Sequence, residues 1–472
     1  MKNVWIFILV TALSCLCSCM HDAVSYTTTA DRSLLFQENR LGRKSDAGAT
    51  VLEINPEVTF QTIDGFGAAI TGASCYNLLK MSDKDRHDIL VELFDPKDGL
   101  GISLIRVSIG ASDFSVDEEF TWCDEEGLEN FRVAREDEEY LFPVLREIYA
   151  VNPDVKIVAS PWSCPRWMKR RSVTDDTPYN SWTSGSLRPE CYDDYARYFV
   201  RWIETMESMG FDIYAMTIQN EPLNHGNSMS LYMTWQEQLD FIKRSLGPAF
   251  RDAGISTKIL LFDHNYNYDG IEDQQDYALN IMADAEASQY VAGSAWHNYN
   301  GHFSELEKMQ SREPEKDIYF TEASIGTWNY NFPKSLLKDF NEIFLQTMAR
   351  GCKGVTLWNM MLDENRRPFR PGGCGTCYGV LTLGVDSAQV VDRTSHYYDI
   401  AHASKVIKPG AVRIGMEPAP FDGVDCLAFR NADGSFASIV SNMSDKPCTL
   451  QFGEHGPVAG IPAGSIVSVL WK

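Results

Sequence analysis

The sequence predicts an α/β protein: a (β/α)8 TIM barrel carrying a small side β-domain to which both chain ends contribute. Three observations predict it. Short apolar, β-branched runs recur eight times between residues 63 and 405, each followed by a loop and a helical stretch. Beyond Pro409 the apolar residues alternate with period two, as antiparallel strands require. Glutamates close two of the eight runs, at the strand ends where barrels of this kind carry their functional groups.

The predicted barrel strands are 63–69, 102–109, 155–160, 213–219, 258–262, 291–296, 317–321 and 354–358. Their starts lie roughly 25 to 60 residues apart, enough for a crossover helix each time. Between the third and fourth, Tyr195, Phe199, Trp202, Ile203 and Met206 fall at helical spacing, and Gly210 stops that helix. A doubly wound open sheet is the competing arrangement, but no glycine-rich phosphate loop follows the first strand. The C-terminal part reads as strands around 426–430 and 435–440, joined by a turn at Asn431-Ala432-Asp433-Gly434, with a last strand at 465–471. The piece around 51–60 is strand-like and precedes the barrel, so it is assigned to the same side sheet.

The first residues stand apart. Lys2 precedes an apolar run over 4–17, too short to span a membrane and suited to a signal peptide. It ends in Leu16-Cys17-Ser18-Cys19, which resembles a bacterial lipobox and predicts cleavage before Cys19 and lipidation of that residue. Residues 20–44, polar and rich in Thr and Ser, read as a tether. The predicted organisation is therefore 1–19 leader, 20–44 tether, 45–62 side domain, 63–405 barrel and 406–472 side domain. The mature chain is expected to be exported, periplasmic or on the outer-membrane surface.

Composition excludes some functions. A net charge of −23 argues against nucleic acid, whose binding rests on lysine and arginine displacing counterions. Cys374-Gly375-Thr376-Cys377 is a lone C-x-x-C with no second pair or histidine pair at zinc-site spacing, so a loop disulfide or free thiols are expected, and no metal. No cofactor fingerprint is present, and no oligomeric state follows from the sequence.

Glu221 follows the fourth run in Gln219-Asn220-Glu221-Pro222, and Glu322 closes the seventh in Phe320-Thr321-Glu322-Ala323. Two carboxyls across a glycosidic bond suffice to cleave it without metal or cofactor, so the pair predicts sugar-cleaving chemistry and a carbohydrate ligand. Seven runs then carry a family resemblance: Asp64-Gly65-Phe66-Gly67-Ala68-Ala69-Ile70-Thr71; Ile105-Arg106-Val107 with Ser112-Asp113-Phe114-Ser115; Ala159-Ser160-Pro161-Trp162-Ser163-Cys164-Pro165; Ile218-Gln219-Asn220-Glu221-Pro222; Trp296-His297-Asn298-Tyr299; Phe320-Thr321-Glu322-Ala323; and Leu357-Trp358-Asn359. In this order and spacing the chain resembles glycoside hydrolase family 30.

The resemblance implies an α/β fold, a (β/α)8 TIM barrel with a side β-sandwich domain built from both chain ends, and retaining hydrolysis with Glu221 as acid/base and Glu322 as nucleophile. It implies that burial and the neighbouring Glu322 raise the pKa of Glu221 and keep it protonated. Asn220 would hold the sugar 2-hydroxyl, Arg106 would pair with Glu322, and Asp113 would bind two hydroxyls of the sugar. Trp162 and Trp358 would flank the sugar, and His297 and Tyr299 would line the rim near the nucleophile. The polar stretch 224–230 after Glu221 favours a carbohydrate over a ceramide, and the general pattern resembles the family's bacterial β-1,6-glucanase branch. A glucosylceramidase-type enzyme or exo-β-glucosidase, a member acting on xylan, galactan or fucoside, and a non-catalytic glycan-binding lipoprotein are the alternatives.

Overall fold

A computed structural model of the chain describes residues 23–42, 48–417 and 423–472. The leader, Cys19 and the two ends of the expected tether lie outside the described residues.

The predicted runs form eight parallel strands: β1 (Gly65–Ala68), β2 (Leu104–Ile109), β3 (Lys156–Pro161), β4 (Ile213–Thr217), β5 (Lys258–Asn265), β6 (Gly293–His297), β7 (Asp317–Glu322) and β8 (Cys352–Leu357). Neighbouring strands pair in the order β1-β8-β7-β6-β5-β4-β3-β2. A parallel bridge between Ala69 and Arg106 closes the ring. There the Ile70 N–H donates to the Arg106 carbonyl at 2.8 Å and the Ser103 N–H to the Phe66 carbonyl at 3.2 Å. Gly67 permits the close approach, since a Cβ on it would stand 2.0 Å from the Leu104 carbonyl oxygen.

Inside the ring, Leu104, Val158, Ala215, Leu260, Ala295 and Tyr319 pack as a closed apolar layer, so the barrel is a core and not a channel. Outside it the helices bury their apolar stripes. Tyr192–Ser208 turns Tyr195, Phe199, Trp202, Ile203 and Met206 inward, as its spacing predicts, and Gly210 at φ 91° ends it. Removing so large a buried ring as Trp202 costs about 3–5 kcal/mol.

The side domain is a nine-stranded sheet drawn from both chain ends. Its order is Gln37–Leu41, Ala23–Thr29, Ser465–Trp471, Phe436–Asn442, Val424–Arg430, Val412–Glu417, Thr50–Thr62, Cys448–Phe452 and Val458–Ile461. The predicted turn holds the Val424–Arg430 hairpin, with the Gly434 N–H donating to the Asn431 carbonyl at 3.0 Å.

The tether reading is corrected here: Ala23–Thr29 pairs antiparallel with Ser465–Trp471 as the second strand of this sheet, and Gln37–Leu41 forms its edge. Composition misled because the hydroxyls are satisfied inside. Thr28 is buried with its Oγ1 2.8 Å from His402 Nε2, leaving its β-branched body free to favour a strand. Among the described residues no helix is long and apolar enough to cross a membrane.

Candidate active site

Strand ends position the side chains. Glu322 is the last residue of β7, and Glu221 lies just past β4 in a turn where its own φ is 45°. Phe262 and Asp263 at the end of β5 (φ 75° and 63°) and Asn359 after β8 (φ 62°) share that rare left-handed geometry. Strain of this sort persists only where surrounding contacts enforce it, and here it gathers at one end of the barrel.

One oxygen of Glu221, one of Glu322 and a ring nitrogen of His297 lie within 4.8 Å of one another, and all three residues are buried. Oxygens no more than 4.8 Å apart are compatible with the ~5–5.5 Å spacing of a retaining carboxylate pair and too close for the ~6.5–9.5 Å of an inverting one. Glu322 is held at both oxygens: Arg106 Nη1 donates to Oε2 at 2.5 Å and the Tyr299 hydroxyl to Oε1 at 2.8 Å. Glu221 is held at both as well, with His297 Nδ1 3.3 Å from Oε1 and Asn224 Nδ2 donating to Oε2 at 2.8 Å.

Beneath the pair lies Asp263, which sequence reasoning missed. Its carboxylate accepts from Arg106 Nη2 at 2.8 Å, from Thr217 Oγ1 at 2.7 Å and from Thr321 Oγ1 at 2.6 Å, and His297 Nε2 stands 3.1 Å away. Its carbonyl accepts the Glu221 N–H at 3.0 Å. Asp263 thus supports the partner of each glutamate and the backbone of one. The available signal was an Asp-His pair ending an apolar strand, Phe262-Asp263-His264, on the same end of the barrel as the glutamates. His264 Nε2 lies 3.3 Å from Asp269 and 3.9 Å from Glu221, a second imidazole behind the acid/base candidate.

The electrostatics correct one expectation. Burial pushes Glu221 up, but the hydrogen bond from His297 and the charges of His264 and His297 outweigh it and hold the carboxyl down at about 2. Burial lowers His297, yet Glu322, Asp263 and Glu221 around it raise it to about 9. Glu221 and His297 thus form one hydrogen-bonded proton-holding pair, with His297 drawn up and Glu221 drawn down by each other. Glu322 stands above its ordinary value through burial, against His297 and Arg106. Asp263 is pulled well below the usual carboxylate range because Arg106 outweighs its burial.

The other predicted residues are gathered here with two changes. Asp113 and Trp358 line the same 320 Å³ cavity as Glu221, Asn224, Tyr299 and Glu322. Burial, then Glu322 and Glu221, raise the Asp113 carboxyl well above the ordinary range. Asn220 gives its Oδ1 to Arg106 at 2.7 Å, which orients its amide nitrogen. Trp162 and Trp358 do not flank a slot: their rings stack on each other 5.1 Å apart, with Arg106 over both faces. His297 is not on the rim but wholly buried; Tyr299, 44% exposed, is the rim residue. Among the described residues Asn265 Oδ1, buried at the cavity, has no hydrogen-bond partner, which suits a ligand rich in hydroxyls.

His297, Glu221 and Glu322 could in principle gather round a divalent cation. Both nitrogens of His297 and both oxygens of Glu322 already face protein partners, so the set is built as an internal ion network. In the loop over 361–379, Cys374 and Cys377 form a disulfide. Its arginines are engaged: Arg370 pairs with Glu119 at 3.0 Å, Arg366 donates to the Gly375 carbonyl and Arg367 lies over Phe369.

Comparison with known proteins decides the family. The glycosyl hydrolase family 30 TIM-barrel domain matches residues 63–407, and that family's beta sandwich domain matches 410–469. The chain belongs to glycoside hydrolase family 30. It is a glycoside hydrolase, and its carboxylate spacing is that of a retaining member. Among solved structures it is similar to the endo-beta1,6-glucanase BT3312, with 48% identity, a TM-score of 0.92, and 96% of this chain and 99% of that chain covered. It is 33% identical over 401 residues to an endo-1,6-beta-D-glucanase of Trichoderma harzianum, covering 81% of this chain and 78% of the relative. It is 26% identical over 471 residues to the lysosomal acid glucosylceramidase of Mus musculus, covering 92% and 85%.

Proposed function

We propose that this family 30 enzyme cleaves β-1,6-linked glucan by double displacement, with Glu322 as nucleophile and Glu221 as acid/base. The observation that carries the chemistry is the pair of carboxyls within 4.8 Å, one clamped by Arg106 and Tyr299 and the other by His297 and Asn224. The substrate reading is supported by the names of the similar glucanases and by a polar stretch at 224–230 beside the cavity, where a ceramide would want an apolar rim.

In the first step Glu322 attacks the anomeric carbon while Glu221, carrying the proton of the His297–Glu221 pair, protonates the departing glycosidic oxygen. A glycosyl ester on Glu322 forms and the C–O bond to the leaving sugar breaks. In the second step Glu221 takes a proton from water, the water oxygen attacks the anomeric carbon, and the ester is released with retained configuration. Asp113 and Asn220 would hold hydroxyls of the sugar being cut. The surplus of carboxyl groups around it favours the positive charge that builds on the ring.

Export as a lipoprotein anchored through Cys19 is supported by Lys2, the apolar run over 4–17 and Leu16-Cys17-Ser18-Cys19. Ala23 already belongs to the side sheet, so an anchor at Cys19, four residues earlier in the chain, would hold this domain within about 15 Å of the lipid surface.

The test is hydrolysis of β-1,6-glucan, β-1,3-glucan, xylan and an aryl β-glucoside by the wild type and Glu322→Gln. Release of β-1,6-linked oligosaccharides, absent in the variant, is expected. Cleavage of the aryl glucoside alone would replace this reading with an exo-β-glucosidase. Failure on every substrate by a folded protein would favour a glycan-binding role.

A further inference from the structure

Trp328 has no part in the chemistry above, yet half of its surface is open to water at the mouth of the catalytic cavity. Burying an indole is among the most favourable uses of a side chain, so an exposed one beside a reacting centre asks for a ligand. With Tyr299 and Ser324 it lines both the 320 Å³ cavity of the two glutamates and an adjoining 210 Å³ hollow bounded by Asn298, Asn329 and Lys334. The cleft therefore continues past the reacting carboxyls, and Trp328 stands where the two hollows meet.

The ring is held in place and not merely left outside. It lies over Gly326, where a Cβ would come within 1.9 Å of the indole. The loop beneath is tied to the turn after β8: the Thr327 N–H donates to the Thr376 carbonyl at 2.9 Å and the Tyr378 N–H to the Ile325 carbonyl at 2.8 Å. Gly326 and Cys377 form an antiparallel bridge, and the disulfide from Cys374 to Cys377 closes that turn.

We propose that Trp328 is the platform of a second sugar subsite, taking the glycosyl unit adjacent to the one being cleaved, and that Gly326 and the disulfide-closed turn fix its plane. This rests on the glycan reading of the site. The flat C–H face of a pyranose lies on the indole while its hydroxyls reach Asn298, Asn329 and Lys334 around the second hollow. Such a platform gives the enzyme a grip on a chain in addition to a single terminal sugar.

The experiment compares two substrates that differ in whether they reach this subsite. β-1,6-linked gluco-oligosaccharides cover it; β-D-glucosyl fluoride fills only the pocket of the sugar being cut. Trp328→Ala is expected to lower kcat/KM on the oligosaccharides about tenfold, mainly through KM, the scale of one lost aromatic contact. On the fluoride the loss should be clearly smaller, since that substrate does not reach the second hollow. Gly326→Ala, which displaces the ring, should move the oligosaccharide value in the same direction, and Trp328→Phe should restore most of it. Equal losses on both substrates, or none on the oligosaccharides, would overturn the proposal. If the wild type cleaves no β-1,6-glucan, the substrate reading fails by itself, and the ratio is then read on oligosaccharides of the glycan it does cleave.

Discussion

The two ends of the barrel are both ionic, and they are built on opposite rules. At the amino ends of the strands Asp64 pairs with Lys156 and accepts from the Tyr319 hydroxyl at 2.6 Å, while Asp317 pairs with Lys258 at 2.7 Å and Lys353 at 2.9 Å. Cations there outnumber acids, and the lysine side chains keep 21–29% of their surface in water. At the carboxyl ends Asp113, Glu221, Asp263 and Glu322 face Arg106 and His297, all buried. Paired charges at the bottom hold the barrel and move no proton. The carboxyl surplus at the top is costly to bury, and it is tolerated where a substrate ring is to carry positive charge.

This contrast can be tested by removing one charge at a time. The largest effect belongs to Glu322→Gln, expected to cut kcat by at least about 10⁴-fold while substrate binding, read by calorimetry, persists. Glu221→Gln should cost about 10²–10⁴-fold on the polymer, and less on β-D-glucosyl fluoride, whose leaving group needs no proton.

Asp263→Asn tests the shared support. Activity requires one proton on the His297–Glu221 pair and an ionised Glu322, so the pH–rate profile of the free enzyme should be bell-shaped. Its alkaline limb lies near His297's value of about 9, and its acid limb lies above the ordinary glutamate value. Around His297 stand Asp263, Glu221, Glu322, Arg106, His264 and Tyr299; deleting the Asp263 charge lowers His297, so the alkaline limb should move to lower pH. A loss of rate with an unmoved profile would reduce Asp263 to a packing role.

The smallest effect is expected at the bottom. Lys258→Gln should change stability by about 0–1 kcal/mol, as partly exposed pairs do, and leave kcat/KM unchanged. Asp64 lies below the usual carboxylate range because Lys156 and Tyr319 outweigh its burial. Its contribution is therefore present above the unfolded value and lost as pH falls through the folded one. An acid melting series on Asp64→Asn should show less pH dependence below about pH 4 than the wild type.

Most of the barrel was legible because its strands are buried on both faces and read as continuous apolar runs, and the glutamates because they end two of them. Asp263 was not, since an aspartate after a strand looks like any turn residue until the fold brings Arg106 and His297 against it. The direction of the Glu221 shift was missed for the same reason: Glu322 was a visible neighbour of Glu221, while His297 Nδ1 became one only through the pairing of β6 with β5 and β7. The strand at Ala23–Thr29 was lost among threonines, of which Thr28 meets its partner His402 only 374 residues further on.

The central claim is retention at a β-1,6-glucosidic bond. Proton NMR of β-1,6-linked oligosaccharides during the first minutes of hydrolysis reads it directly, because the anomeric signals of the new reducing end resolve. The account predicts that the β anomer appears first and the α anomer only later, by mutarotation. An α anomer released first would contradict it, as would an active enzyme that leaves this linkage intact.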